Sequence, residues 1–395
     1  MKKKLLFTID SLACAGAEKS LVTLLGLLDY TKYEVDLMLF SHGNELEELV
    51  PDEVKVLPPL DYSTHASRPL KESLKSIRSK KAVKLVQARI NYSLKLRYQK
   101  AGNIKKARLY WQSVRNVIDV LPDEYDVAIA YAQGVPTFYT AEKVKAKKKL
   151  AWVNVSYVLR DKEHSFQKKY YSTFDKIVAV SESAKTIFMK NYPEFEEKMT
   201  LIYDINNPDF INKMADQGYS FQDQFDGIRL LTIGRLASQK GYDLALKTCR
   251  ILKDRGLHFR WYALGKGPLE EEIKEQIKSY GLEEHFKLLG VYSNPYPFIK
   301  ASNLYVQTSR FEGFGLAIAE ARMLNVPVVT TEFDAVYDQM IQGKNGIVVD
   351  MNEYSIAEGI LKMLNNQDMY NNIKQYLIQE KKGNKEEISK FYQLI

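Results

Sequence analysis

The chain has 395 residues, of which 45% are hydrophobic, 27% charged and 12% aromatic. This composition excludes a disordered chain, a collagen-like chain and a disulfide-rich scaffold, and the length predicts two or three domains. No apolar run approaches the roughly eighteen residues of a transmembrane helix. The two cysteines, Cys14 and Cys249, are too far apart for metal-ligand spacing and are interpreted as free thiols in a reducing compartment.

The N-terminus resembles a signal peptide, because three lysines precede the apolar run Leu5–Ile9. Asp10 ends that run after five residues, whereas an export signal needs roughly seven to fifteen. We therefore expect a first β-strand and a cytoplasmic protein.

Basic residues are concentrated in the first half of the chain. Residues 1–200 carry a net charge of +10 and the remainder −2, and residues 71–115 contain 14 basic residues and one acid. Such a block attracts nucleic acid, anionic lipid or a phosphorylated substrate. A solvated, lysine-rich face is the alternative, and nucleic acid is disfavoured because the sequence contains no recognised nucleic-acid module.

The first half alternates short apolar strands with helices, which predicts a doubly wound parallel sheet. Strands are predicted at Lys4–Ile9, Glu34–Phe40, Val54–Leu57, Asp126–Tyr131, Leu150–Asn154, Lys176–Val180 and Met199–Tyr203. Helices are predicted at Glu18–Leu28, Glu163–Thr173, Glu182–Asn191 and in region 71–118, the last as two helices separated at Gly102-Asn103.

The pattern ends at Asn206-Asn207-Pro208 and restarts with strand Arg229–Ile233. Strand and helix alternate again as far as the strand Gly346–Val349, and three helices are predicted after it. The fold class is therefore α/β, with two consecutive Rossmann-like domains at 1–205 and 206–384.

Ligands of open α/β sheets bind beyond the carboxyl ends of the strands, so the loops there hold the candidate site. The first loop, Asp10–Glu18, contains Gly16 and is rich in small residues. Small side chains let backbone N–H groups approach a phosphate at a helix N-terminus. A tight strand–helix turn is the alternative.

Two further loops follow strands of the second half. One contains Gly234, Arg235 and Lys240, whose cations could bind phosphate oxygens; the alternative is a solvated loop. The other contains Gly265 and opens an acidic helix, and for it a Gly-Pro turn is the alternative.

A fourth segment combines glycines with two carboxylates. Glu312 lies in a loop, Gly313 and Gly315 allow close approach of a ligand, and Glu320 follows within an otherwise apolar helix. The N-terminus of that helix can face a diphosphate, and the two carboxylates can accept hydrogen bonds from sugar hydroxyls. Two solvated glutamates beside a glycine turn are the alternative.

These segments together resemble glycosyltransferase family 4. The resemblance is carried by Gly234-Arg235-Leu236 with Gln239-Lys240-Gly241, by Glu312-Gly313-Phe314-Gly315-Leu316 with Glu320-Ala321, by Pro327-Val328-Val329 and by Ala15-Gly16-Ala17-Glu18. It implies the GT-B architecture, two Rossmann-like domains facing a cleft, and sugar transfer from a nucleotide sugar with retention of configuration. It also implies that a terminal helix within 385–395 packs back on the first domain.

The resemblance also implies roles for individual residues. Arg235 and Lys240 would hold the donor diphosphate, Glu312 the donor sugar and Glu320 the ribose, and Gly16 would leave room for the donor. The remaining donor-binding positions that it implies are Gly234, Gly265, Gly313, Phe314, Gly315 and Leu316. Cations and helix dipoles stabilise a departing diphosphate, so no metal or other cofactor is expected.

The acceptor side departs from the family pattern. Ala15 replaces the first of two adjacent glycines, and Asn154 stands where relatives commonly have a histidine. Asn154 can hydrogen-bond a sugar hydroxyl but cannot carry a proton. His164 is the nearest candidate, with a surface helix histidine as the alternative, so no general base is assigned.

The resulting prediction is a retaining, hexosyltransferase-type enzyme. It would use a nucleotide sugar, by analogy a UDP-sugar, to extend a lipid-linked or oligosaccharide acceptor of capsule, exopolysaccharide or lipopolysaccharide. The basic region 71–115 would contact anionic lipid at the inner face of the plasma membrane. A sugar-nucleotide epimerase of GT-B fold and a non-catalytic partner of an active transferase are the alternatives.

Overall fold

The computed structural model describes residues 2–13, 15–67, 79–98, 103–154, 159 and 161–395. The described chain divides into two compact units. The first contains most of residues 2–202 together with Ile388–Ile395, and the second contains Tyr203–Glu387. The boundary between the units lies after Ile202, three residues before the boundary predicted after residue 205.

The first unit is built on a seven-stranded, wholly parallel sheet in the order β3-β2-β1-β4-β5-β6-β7. Its strands are β1 (Lys3–Ile9), β2 (Tyr33–Leu39), β3 (Val54–Val56), β4 (Glu124–Ala130), β5 (Lys145–Val153), β6 (Lys176–Ala179) and β7 (Met199–Leu201). The intervening helices are α1 (Gly16–Leu25), α2 (Asp61–Ser67), α3 (Lys80–Tyr98), α4 (Asn103–Val114), α5 (Val135–Lys143), α6 (Asp161–Tyr171) and α7 (Glu182–Asn191).

Aromatic side chains fill the core of this unit. One cluster includes Trp111, Phe138 and Tyr170, and another includes Tyr171 and Phe188. The central strand β1 is buried from Leu5 to Ile9, as expected for a parallel strand whose two faces are both covered by helices.

The second unit repeats this design with six parallel strands in the order β10-β9-β8-β11-β12-β13. Its strands are β8 (Ile228–Ile233), β9 (Phe259–Leu264), β10 (Phe286–Gly290), β11 (Leu304–Gln307), β12 (Val328–Thr331) and β13 (Gly346–Val349). Its helices are α8 (Pro208–Ala215), α9 (Tyr242–Asp254), α10 (Glu270–Ser279), α11 (Tyr296–Lys300), α12 (Leu316–Met323), α13 (Glu353–Asn365) and α14 (Gln367–Gln379).

The last helix, α15 (Glu387–Leu394), returns to the first unit. Phe391 is fully buried and its ring lies 6.0 Å from that of Phe7, while the ring of Tyr392 stacks on Tyr33 at 5.7 Å. The Tyr392 hydroxyl donates to the Leu27 carbonyl at 3.1 Å. Aromatic packing and a hydrogen bond therefore both attach the helix to the first unit.

The predicted fold class is confirmed, and every predicted strand is present within a few residues. The basic region forms α3 and α4, although its residues 71–78 and 99–102 lie outside the described residues, as does Cys14. Cys249 is buried and free. No helix in the described ranges has the length and apolar character needed to cross a membrane.

Three helices were not predicted: α2, α5 and α8. Asn206-Asn207-Pro208 was interpreted as the end of a domain, but it begins α8, where the Asn207 side chain accepts a hydrogen bond from the Phe210 N–H. Asparagine at the N-cap followed by proline is a known helix start, so this signal was available in the sequence.

Candidate functional site

The candidate residues of the second unit lie at one edge of its sheet. Strands β9, β8 and β11 are neighbours and parallel, so the loops that follow them meet at their carboxyl ends. These loops contain Gly265, the segment from Gly234 to Gly241, and the segment from Thr308 to Gly315.

The centre of this edge is an ion pair between Lys240 and Glu312. The Lys240 Nζ lies 2.6 Å from Glu312 Oε1, and the two side chains are only 19% and 9% exposed. The same oxygen accepts hydrogen bonds from Gln307 Nε2 at 2.6 Å and from Ser309 Oγ at 2.5 Å. Three donors thus converge on Oε1, and Oε2 accepts no hydrogen bond from the described residues and can receive a ligand hydroxyl.

A buried polar chain orients the Glu312 carboxylate. The Tyr305 hydroxyl donates to Gln307 Oε1 at 2.5 Å, and Gln307 Nε2 donates to Ser309 Oγ at 2.8 Å. Burial raises the pKa of Tyr305 well above its ordinary value, so the phenol remains a donor. The sequence analysis missed Gln307 and Ser309, although two polar residues at the end of a buried strand were a usable signal.

The loops after β8 and β11 are joined by a clasp, defined here as the contacts of Arg310 with Asp243 and Ser238. The guanidinium binds both carboxylate oxygens of Asp243 at 2.9 and 2.7 Å and donates to the Ser238 carbonyl at 2.8 Å. Burial alone would raise the pKa of Asp243, but the hydrogen bonds and charge of Arg310 hold that pKa below its ordinary value. The clasp sets the position of Lys240 relative to Glu312.

Two glycines allow these loops to approach closely. Gly241 has φ = 65°, and a Cβ there would lie 2.0 Å from the Thr308 carbonyl oxygen. A Cβ on Gly265 would lie 2.0 Å from the carbonyl oxygen of Gly234. Both positions therefore require glycine so that the loops can pack.

Residues 221–380 match the family model of glycosyl transferases group 1. They form a group 1 glycosyltransferase domain. The resemblance inferred from the motifs is confirmed at this level, whereas family 4 membership and retention of configuration stay predictions.

Two curated relatives are similar over this part of the chain. The capsular polysaccharide biosynthesis glycosyltransferase CapM of Staphylococcus aureus is 25% identical over 201 residues, which are 49% of this chain and 53% of CapM. The second relative is an enzyme of Campylobacter jejuni, N-acetylgalactosamine-N,N'-diacetylbacillosaminyl-diphospho-undecaprenol 4-alpha-N-acetylgalactosaminyltransferase. It is 26% identical over 196 residues, which are 49% of this chain and 52% of that enzyme. The chain thus matches about half the length of these relatives.

A solved structure is similar over almost the whole chain. It is a variant of Staphylococcus aureus TarM in complex with fondaparinux, alpha-GlcNAc-glycerol and UDP, with a TM-score of 0.68 over 99% of both chains and 13% sequence identity. At this identity the likeness shows the fold, which is that of the GT-B glycosyltransferases.

The other predicted residues of the glycosyltransferase domain occupy the same edge of the sheet. Arg235 is exposed directly after Gly234, and no ion pair joins it to the described residues. Gly313, Phe314 and Gly315 are buried and lead into α12 at Leu316. Because the Phe314 ring packs within the core of the unit, only the backbone of this stretch can contact a ligand.

Glu320 lies inside the glycosyltransferase domain on α12. It is buried, and its Oε1 accepts a hydrogen bond from the Tyr296 hydroxyl at 3.1 Å. Tyr296 begins α11 and was not predicted as a site residue. Because the carboxylate is already held by a phenol, Tyr296 can orient it toward a ligand.

The predicted residues Gly16 and Asn154, which lie outside residues 221–380, have separate surroundings. Gly16 is exposed at the start of α1. Asn154 follows β5, and its Nδ2 donates to the Tyr131 carbonyl at 2.6 Å while its buried Oδ1 has no partner among the described residues. This orientation leaves an acceptor available for a hydroxyl.

His164 has a structural role instead of a place beside Asn154. Its Nε2 lies 2.5 Å from the Asn191 carbonyl oxygen, and its ring stacks on Tyr192 at 4.6 Å. These contacts join α6 to the end of α7. The histidine is therefore engaged in packing between these two helices.

Proposed function

We propose that this chain is a retaining glycosyltransferase that moves a hexose from a nucleotide sugar to a growing surface-polysaccharide acceptor. The observation that carries this proposal is the Lys240–Glu312 pair, with its three donors on one carboxylate oxygen, inside a group 1 glycosyltransferase domain. In this proposal the Lys240 ammonium binds the diphosphate, and the neighbouring Glu312 Oε2 accepts hydrogen bonds from sugar hydroxyls.

The chemistry follows from the charges that develop during transfer. As the bond between the sugar and the diphosphate lengthens, negative charge grows on the leaving group and positive charge on the sugar. Arg235, Lys240 and the N-terminus of α12 stabilise the former, and Glu312 binds the hydroxyls of the latter. Because these groups can offset the leaving-group charge, we propose transfer that needs no metal ion, and activity should persist in a chelator.

The donor is proposed to be a UDP-sugar. The support is an analogy with TarM, whose structure contains UDP. Calorimetry with UDP, GDP and a panel of UDP-sugars tests this choice, and we expect wild-type protein to bind UDP. Arg235→Ala should weaken UDP binding about tenfold or more, because a guanidinium that binds phosphate is lost.

The control for that experiment is Arg250→Ala, which removes an exposed arginine of α9 in the same unit. It should bind UDP like the wild type. If wild-type protein binds no nucleotide, the transferase proposal fails and a non-catalytic partner is favoured. If the sugar of the nucleotide is altered when no acceptor is present, an epimerase is favoured.

The acceptor is proposed to be a lipid-linked or free oligosaccharide, bound by the first unit. The support is the Campylobacter jejuni relative, whose name describes a diphospho-undecaprenol substrate. Asn154 Oδ1 can accept a hydrogen bond from an acceptor hydroxyl, but it cannot take up the proton. Transfer assays with diphospho-undecaprenol glycans test the acceptor, and proton NMR of the new linkage tests retention of configuration.

The basic region offers a membrane-docking face on α3, defined here by Val83, Ile90, Leu94, Lys84 and Arg97. The three apolar side chains are 47%, 38% and 45% exposed and share one face of the helix by their spacing. Lys84 and Arg97 are exposed beside them. Exposed apolar side chains flanked by cations fit the headgroup region of an anionic membrane.

Other basic residues of the region form ion pairs with carboxylates of this chain, so they are not included in the docking face. Lys81 pairs with Asp119 at 2.8 Å, Arg108 with Glu163 at 2.9 Å and Arg115 with Glu142 at 2.7 Å. We propose that the α3 face binds anionic lipid at the inner face of the plasma membrane.

Vesicle flotation tests the docking face. Wild-type protein should float with phosphatidylcholine vesicles that contain phosphatidylglycerol and should remain unbound with phosphatidylcholine alone. Lys84→Glu with Arg97→Glu should abolish flotation, whereas Lys362→Glu on exposed α13 should not. Equal flotation of all three proteins would contradict this assignment.

A further inference from the structure

Gln339 lies behind the stretch that leads from Glu312 into α12. It is only 7% exposed, and its Nε2 donates to the Phe314 carbonyl and, at 3.2 Å, to the Gly315 carbonyl. The backbone carbonyl of Gln339 accepts a hydrogen bond from Asn345 Nδ2 at 3.0 Å. One amide group thus contacts two successive peptide units of the donor loop, the name used here for residues 312–316.

The orientation of the Gln339 amide follows from its surroundings. Exchanging its oxygen and nitrogen would place Oε1 against two carbonyl oxygens, which have no proton to donate. In the present orientation Oε1 has no partner among the described residues and Gln339 lines a cavity of about 200 Å³. The side chain therefore serves the donor loop as a hydrogen-bond donor.

This contact determines where the N–H groups of the donor loop point. In a trans peptide the C=O and the following N–H point in opposite directions, so anchoring the Phe314 and Gly315 carbonyls turns the N–H groups of Gly315 and Leu316 away from Gln339. Within the described residues, neither N–H donates a hydrogen bond. Both are therefore available at the N-terminus of α12, where an anion binds favourably.

We propose that Gln339 is a positioning residue that aims the Gly315 and Leu316 N–H groups at the diphosphate of the bound donor. The inference rests on the proposed nucleotide-sugar transferase function. Gln339 does not touch the donor itself; it holds the two peptide units so that they need not reorient when the diphosphate binds, and this preorganisation improves affinity.

The test replaces Gln339 by methionine, which keeps the length of the side chain and removes the donor. Q339M should weaken UDP binding about tenfold and lower kcat/KM for the UDP-sugar by a similar factor. Competition by uridine should be unchanged, because uridine has no diphosphate. If Gln339 had only a structural role, the substitution would weaken the binding of UDP and of uridine to a similar extent.

The matched control is Q342M on the same segment. The Gln342 amide also bonds to backbone, with Nε2 donating to the Val348 carbonyl at 3.0 Å and Oε1 accepting from the Val348 N–H at 2.7 Å. It contacts no residue of the donor loop, so Q342M should bind UDP like the wild type.

Each result has a defined meaning. Wild-type affinity for UDP in a folded Q339M protein overturns the inference, and so does an equal loss of UDP and uridine. If Q339M does not fold, Q339N is the second variant, because it keeps the amide but cannot reach both carbonyls, and the same separation of UDP from uridine is expected. Failure of wild-type protein to bind any nucleotide instead contradicts the proposed function.

Discussion

At the scale of single residues, the site depends on one carboxylate oxygen. Glu312 Oε1 accepts hydrogen bonds from the Lys240 ammonium, the Gln307 amide and the Ser309 hydroxyl. A nearly buried charge is tolerated only when it is paired and hydrogen-bonded, and these three donors meet that requirement. They also restrain the side chain in one rotamer, so Oε2 has a defined direction.

Replacing Glu312 by glutamine should abolish most of the transfer activity. The amide keeps the shape but loses the charge that pairs with Lys240, and it brings N–H donors next to other donors. We expect kcat/KM to fall by about 10²-fold or more, measured as sugar transfer under initial-rate conditions. The control, Glu271→Gln, removes a surface glutamate that also pairs with a lysine, and activity should be kept; equal activity of both variants would contradict the assigned site.

Ser309 acts on the reaction through Glu312. Ser309→Ala removes one of the three donors to Oε1 and leaves Gln307 Nε2 with a single side-chain partner. We expect a loss of about tenfold in kcat/KM with a small change in the unfolding temperature. Ser279→Ala, which removes an exposed helix serine, is the control; a Ser309→Ala protein as active as this control would show that two donors are sufficient.

At the scale of elements, the site depends on how two loops are held together. The clasp joins the loop after β8 to the loop after β11, and Gln239 Nε2 adds a hydrogen bond to the Phe311 carbonyl at 2.9 Å. Bidentate pairing of arginine with carboxylate sets geometry as well as energy. The distance between Lys240 and Glu312 therefore depends on residues, such as Arg310 and Asp243, that need not contact the nucleotide sugar.

A double-mutant cycle tests the clasp. Arg310→Ala and Asp243→Ala should each weaken UDP binding about tenfold, and the double variant should be little worse than either single variant, because the two side chains act as one unit. Calorimetry measures the three affinities. The Arg250–Asp254 pair on α9, at 3.8 Å and largely exposed, should show no coupling; additive losses at Arg310 and Asp243 would contradict the clasp.

At the scale of the whole molecule, the chain builds two parallel sheets and closes the first unit with its last helix. α15 follows Tyr203–Glu387 in sequence but packs on strands formed near the N-terminus. The first unit is thus completed only when the end of the chain is present. Its stability depends on contacts between residues almost four hundred positions apart.

Phe391→Ala should destabilise the first unit selectively. Removing a fully buried aromatic ring costs about 3–5 kcal/mol, and the ring contacts Phe7 and Trp152. Hydrogen exchange monitored by mass spectrometry should become faster in β1 and β2 and stay unchanged in β8. Ile378→Ala, which shortens a side chain that is 56% exposed, should leave hydrogen exchange unchanged in all three strands. Unchanged exchange in β1 of the Phe391→Ala protein would contradict the role of α15.

Local sequence patterns were sufficient to predict the order and type of almost all elements and the motif residues of the site. Apolar runs and helical periodicity are local properties, so they reveal buried strands and amphipathic helices without knowledge of the fold. Glu312, Lys240 and Arg235 were found because each follows a predicted strand. Helices α2, α5 and α8 were missed because they have only seven, nine and eight residues, and because the Asn207-Pro208 start of α8 was interpreted as the end of a domain.

The contacts between side chains of the site, by contrast, depend on the complete fold. Arg310 and Asp243 are 67 residues apart in the chain, Lys240 and Glu312 are 72 apart, and Gln339 lies 25 residues beyond Phe314. Their hydrogen bonds require the order of the strands in the sheet and the course of the loops, which no local pattern encodes. His164 follows Asn154 by ten residues in the sequence, but only the tertiary structure shows that its ring packs against Tyr192.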